Sequence, residues 1–164
     1  MSQELRSILT GTLGLDIALL AAILIGLSRP VASENAARML PVALVATALQ
    51  GAHFAEETMT EFYAAFPTQL GLTPWTRAFF VAFNATWLAI WLAAAFGLAR
   101  APRLASVALW FLALAALANG IAHPALALRT GGYFSGVATA PVLGLAGLWL
   151  TVRLSRASRA PPRR

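Results

Sequence analysis

The residues in this chain that could do chemistry fall into two short motifs. The first is His53-Phe54-Ala55-Glu56-Glu57 and the second is Asn119-Gly120-Ile121-Ala122-His123. In a helix, His53 and Glu57 lie four apart on one face, and Thr47, Gln50 and Glu61 continue that face. Glu56 is turned about 100° away from Glu57. Asn119 and His123 stack in the same way on a second segment. One His and one Glu from the first segment, with a second His from another, form a ligand set for one divalent metal ion (Zn, Fe or Mn) that leaves a position open. The candidate ligands are His53, Glu57 and His123, with Glu56 as the other carboxylate that could serve. Without a metal, the same groups suit acid and base roles, a histidine carrying the proton and Glu57 orienting it. The second histidine is not on the helix of the first, so the mechanics of His-Glu-x-x-His zinc proteases do not carry over.

These polar groups are embedded in apolar sequence. Of 164 residues, 59% are hydrophobic and 11% charged, in long apolar runs broken by short joints with Arg or Pro, which is the pattern of a polytopic membrane protein. There is no Cys, which excludes disulfides, thiolate metal sites and cysteine nucleophiles. The net charge of +6 is carried by Arg with no Lys, which excludes a lysine imine. Hydropathy predicts an all-α bundle of five transmembrane helices, at roughly 9–28, 40–60, 78–98, 104–125 and 134–152. The first is read as a retained span and not a signal peptide, because Glu4 flanks it and Asp16 interrupts it. Residues 1–154 then form a single domain, and 155–164 a disordered basic cytoplasmic tail.

Five spans place Arg6, Arg77 and Arg129 on one side and the other nine Arg on the opposite side, which the positive-inside rule assigns to the cytoplasm. The N-terminus is expected outside and the C-terminus inside. In that topology His53 and His123 lie near the ends of outward-running spans. Asp16, Asn84, Ser135 and Thr139 lie near the starts of inward-running ones. All five spans are therefore expected to bring polar groups to one layer in the outer half of the bilayer, about two turns below the surface. Ionisable groups at such a depth are costly and mark a functional site. Pro124, next to His123, frees a backbone carbonyl, and Pro141 allows a similar opening in the last span.

The two motifs resemble those of a family of small bacterial integral membrane proteins named for the His-x-x-Glu-Glu sequence, whose members also carry Asn-x-x-x-His. The resemblance covers about residues 40–145. It includes Tyr133-Phe134-Ser135-Gly136 and then Thr139, where Ser135 stands in place of the proline of the family's Tyr-x-Pro-Gly turn. It implies a bacterial cytoplasmic membrane location and supports the site, but it names no reaction, since the family has no settled activity.

Three readings follow. The first is a membrane-embedded enzyme, a metal-dependent hydrolase or an acid/base isomerase, acting on a lipid or isoprenoid-like substrate. Its reacting groups would be His53, Glu56, Glu57, Asn119 and His123, with Asp16, Gln50, Asn84, Tyr133, Ser135 and Thr139 around them. The second is a proton- or ion-coupled transporter, against which no inverted repeat is visible. The third is a structural polar network. Gly132, Gly136, Ala140 and Gly144, every four residues, suggest close helix packing, within one chain or in a homodimer. Membrane lipids are expected partners and nucleic acid is not, because no aromatic residues interleave with the tail's charges. Trp75 and Trp149 fit aromatic belts, and Trp87, Trp91 and Trp110 are expected to face lipid or to pack.

Overall fold

Apolar runs in this chain become helices because a helix satisfies its own backbone hydrogen bonds wherever water is scarce. The computed structural model describes residues 2–158. Within them lie six α-helices, one 3-10 turn and no strand. The helices are α1 (Gln3–Ser28), α2 (Ala36–Met59), α3 (Phe62–Gln69), α4 (Arg77–Gly97), α5 (Pro102–Thr130) and α6 (Ala140–Ala157). Side-chain caps start two of them, Ser2 accepting from Leu5 N–H on α1 and Thr76 from Phe79 N–H on α4. Pro102 and Pro141 occupy the first turns of α5 and α6, where the missing N–H costs nothing.

α5 is the central element. It packs against α6, α1 and α4, while α2 closes the bundle by packing on α6 and α4. Leu109, Leu112, Leu143, Leu150 and Leu154 are fully buried between these helices. α6 approaches α5 at backbone distance: a Cβ on Gly144 would come 2.9 Å from Gly120 Cα. By contrast, α1 exposes Leu9, Leu13, Ile17, Leu20 and Leu24 along one side. A continuous apolar face of that kind is what lipid covers.

The structure revises the expected architecture in four places. Three helices, α1, α4 and α5, are long and apolar enough to cross a membrane, where the sequence predicts five spans. α2 falls short because Arg38, Gln50, His53, Glu56 and Glu57 dilute it, and α6 because its 18 residues include Arg153 and Arg156. A helix not expected from the sequence, α3, occupies the segment after Glu61, whose φ of 57° turns the chain sharply. α5 runs on through Pro124 to Thr130, five residues past its expected end. α6 begins at Ala140 and not at 134, so Ser135 and Thr139 belong to the α5–α6 loop, and Pro141 starts the helix instead of opening it. α6 also continues to Ala157, beyond the expected start of the tail; residues 159–164 lie outside the described residues.

Candidate metal and acid-base centre

Helical spacing turns His53 and Glu57 of α2 to the same side, and α5 brings His123 to meet them. All three are buried, with relative exposures of 0%, 5% and 2%. Glu57 Oε1 lies 3.4 Å from His53 Nε2 and 3.3 Å from His123 Nε2. The two imidazoles meet edge to face, with centroids 4.7 Å apart and planes at 87°. One ligand atom from each residue falls within 4.8 Å of the others, close enough for all three to hold one ion.

The hydrogen bonds on the far side of each ring fix its tautomer. His123 Nδ1 lies 2.6 Å from the carbonyl oxygen of Ser135. A carbonyl only accepts, so that nitrogen carries the proton. His53 Nδ1 lies 2.7 Å from Thr139 Oγ1, which itself donates to Glu56 Oε2 at 2.6 Å. Thr139 therefore accepts from His53, and His53 Nδ1 is also protonated. In the neutral rings, both Nε2 lone pairs then face the carboxylate of Glu57. Three lone-pair donors turned on one another repel unless a cation stands among them, either a metal ion or protons on the rings. Tetrahedral zinc sites, with bonds of about 2.0–2.1 Å, separate their ligand atoms by roughly 3.3–3.4 Å. The two His–Glu distances match that edge.

Glu56 has a different role from its neighbour. Its carboxylate accepts from Tyr133 Oη–H (2.5 Å), Ala138 N–H (3.0 Å), Thr139 N–H (2.8 Å) and Thr139 Oγ1–H. Four donors from one loop saturate it, so it clamps the α5–α6 loop to α2 and acts on His53 only through Thr139. Tyr133 keeps its proton for this bond: its phenol is pushed above the ordinary value by partial desolvation and then by the Glu56 carboxylate. Thr60 and Ser135 add a hydroxyl pair at 2.5 Å. Gly136, at φ 85°, passes under both rings; a Cβ there would come 2.5 Å from His123 Cε1. On the outer side, the ring of Phe62 from α3 covers His123 at 5.1 Å.

Of the residues singled out from the sequence, His53, Glu57 and His123 meet directly. Thr139, Ser135, Glu56 and Tyr133 support them through the loop. Gln50, Asn84 and Asn119 do not touch the cluster through any hydrogen bond and instead line a cavity beside it. Asp16 is not brought to the site. It is exposed on α1 and receives a hydrogen bond from Thr12 at 3.1 Å, and it does not line the cavity. Trp75 is not a belt residue at an interface but buried, donating to Ser7 Oγ. Three of the four small residues point inward, Gly136 at the histidines, Ala140 fully buried and Gly144 against Gly120, so this part of the stripe packs within one chain. One contributor escaped the sequence reading. Thr60 is seven residues after His53 on the same helical face, so the spacing that gives Glu57 also points to it. Gly136 stands in the sequence as a turn and packing glycine, with no sign that it lies under the histidines.

Compared with family models, with curated proteins and with solved structures, the chain matches none.

Proposed function

We propose that this is an integral membrane enzyme in which His53, Glu57 and His123 hold one divalent cation and act on a lipid-like substrate. The observation that carries this reading is the convergence of two Nε2 lone pairs and one carboxylate oxygen in a buried site. Both rings are locked by bonds at Nδ1, as is usual for metal-binding histidines. A divalent ion there would supply Lewis-acid polarisation of a substrate oxygen. The protein's share is to fix the rings, to keep the site away from bulk water under Phe62, and to leave one side open. Glu57 and His123 both border the adjacent cavity, and Asn119, one turn before His123, is positioned to orient a substrate oxygen. The Arg distribution supports placing the N-terminus outside and the site in the outer half of the bilayer of a bacterial cytoplasmic membrane, with α2 and α6 completing a five-helix bundle.

The same geometry supports an acid-base centre without metal, in which Glu57 holds one protonated imidazole and the other accepts the substrate proton. Elemental analysis of the purified chain separates the two. The metal reading expects one ion per chain, lost in His53→Ala, His123→Ala and Glu57→Ala and retained in Asn84→Ala. A metal-free chain that is active in the presence of chelator would overturn it in favour of acid-base chemistry.

A further inference from the structure

The His and Glu cluster occupies one edge of a much larger space. A cavity of about 260 Å³ lies beside it, lined by residues of α1, α2, α3, α4 and α5. α1 and α4 both pack on α5, and both contribute residues to the cavity wall. Glu57 and His123 border the cavity at one level. Gln50, Asn84 and Asn119 border it at the next, and Leu15, Trp87, Trp91 and Phe111 form its inner end. A void of this size is costly to leave empty, and an apolar one excludes water while admitting apolar guests.

The wall also carries polar groups that the protein does not satisfy. Gln50 Oε1 and Trp91 Nε1 are buried without a hydrogen-bond partner. Among the described residues, Asn119 makes no side-chain hydrogen bond, whereas Asn84 spends one amide hydrogen on the Phe80 carbonyl. Carboxamides both donate and accept, and no Arg among the described residues lines the cavity, so this level suits an uncharged hydroxyl or carbonyl group. Along α5, Asn119 is roughly 6 Å from His123 and Phe111 roughly 12 Å further on, at 1.5 Å per residue.

We infer that the cavity binds a single-chain amphiphile, with its hydrocarbon against Trp87, Trp91 and Phe111 and an uncharged oxygen function among Gln50, Asn84 and Asn119. This rests on the proposed enzyme only in placing the reacting atom next to His123; the cavity and the unsatisfied carboxamide stand without it. Trp87 and Trp91 are then substrate-contacting residues and not lipid-facing ones.

The test is photolabelling of the full chain in nanodiscs with hexadecanol carrying a mid-chain diazirine, with adducts mapped by peptide mass spectrometry. Adducts on Trp87, Trp91 or Phe111 that unlabelled hexadecanol competes away are expected. Ala118→Trp, or Ala118→Phe should the larger residue prevent folding, fills the cavity and should cut labelling at least about tenfold. Gln50→Leu and Asn119→Leu should each weaken competition by about fivefold to tenfold, as expected for one lost hydrogen bond. Adducts confined to Leu13, Ile17 and Leu20 on the outer side of α1, indifferent to Ala118, would overturn the proposal. Unchanged competition in both Leu variants would overturn the carboxamide anchor. His53→Ala separates the two readings: His53 is a candidate metal ligand that does not line the cavity, so the variant should abolish metal binding yet keep the label, and either idea can fail alone.

Discussion

The carbonyl oxygen of Ser135 stands 2.6 Å from Nδ1 of His123, and that contact decides which nitrogen of the ring faces Glu57. A loop residue thus sets the chemistry of a helix residue twelve positions before it. Because Gly136 follows directly and lies under the same ring, the fit of the loop against α5 can be disturbed with one methyl group.

Gly136→Ala should be among the most damaging small changes. It places a Cβ where 2.5 Å separates it from His123 and asks a non-glycine residue to hold φ near 85°. The conformational strain alone is about 1–3 kcal/mol. Thermal unfolding should shift down, and bound metal or activity should fall by at least about tenfold. Unchanged values in both measurements would show that the loop does not seat His123.

Glu56→Gln and Glu57→Gln should have opposite signatures although the residues are adjacent. Glu56→Gln replaces a carboxylate that accepts four hydrogen bonds with a group that cannot accept them all, at a cost of about 2 kcal/mol. Amide exchange across residues 133–139 should accelerate. Glu57→Gln should leave that exchange near the wild-type rate and abolish metal binding. Equal effects of the two substitutions on the loop would contradict the division of roles.

Tyr133 should ionise above the usual tyrosine value of about 10, and Glu56→Ala should bring it down. The sign follows from the folded state holding the phenol proton more firmly than the unfolded chain does. The Tyr133 bond therefore contributes its full stability below about pH 10 and loses it as pH rises through the raised value. Ultraviolet titration of the wild type, with Tyr133→Phe subtracted to remove the signal of Tyr63, measures it. A midpoint unmoved by Glu56→Ala would break the assigned pair.

Gly144→Val should destabilise the chain by about 1–3 kcal/mol or prevent its folding, since the added atoms meet the backbone of Gly120. Gly132→Ala, with nothing within 4 Å of the new Cβ, should be nearly neutral. Size-exclusion profiles that change oligomeric state in Gly132→Ala, with Gly144→Val folding normally, would instead show that the stripe serves a dimer.

The spacing of His53, Glu57, Asn119 and His123 was enough to place two of these residues on one helical face and two on another, because a helix keeps register over a single turn. It could not say that Glu56 turns to the loop and Glu57 to the rings. That choice depends on where the α5–α6 segment lies, and its course is set by contacts far apart in sequence. Asp16 lies outside the cluster for a related reason: depth in a span is legible from sequence position, but rotation about the helix axis depends on which neighbour the helix packs against. α3 was missed because eight residues between Glu61 and Leu70 give too few turns for an apolar period to emerge. The cavity was illegible altogether, since Trp87 and Trp91 read as ordinary lipid-facing or packing aromatics, and only the packed helices show that they line a cavity with Phe111.

Every contact that the α5–α6 loop makes to the histidines and to Glu56 falls between Tyr133 and Thr139. Seven consecutive residues therefore hold the entire non-helical share of the site, joined to the helices by hydrogen bonds to one carboxylate, two imidazoles and one hydroxyl. Such a segment is an exchangeable cassette. Replacing it wholesale, with His53, Glu56, Glu57, Thr60 and His123 left in place, would retune the basicity and tilt of the rings while the helical scaffold and its lipid contacts stay as they are.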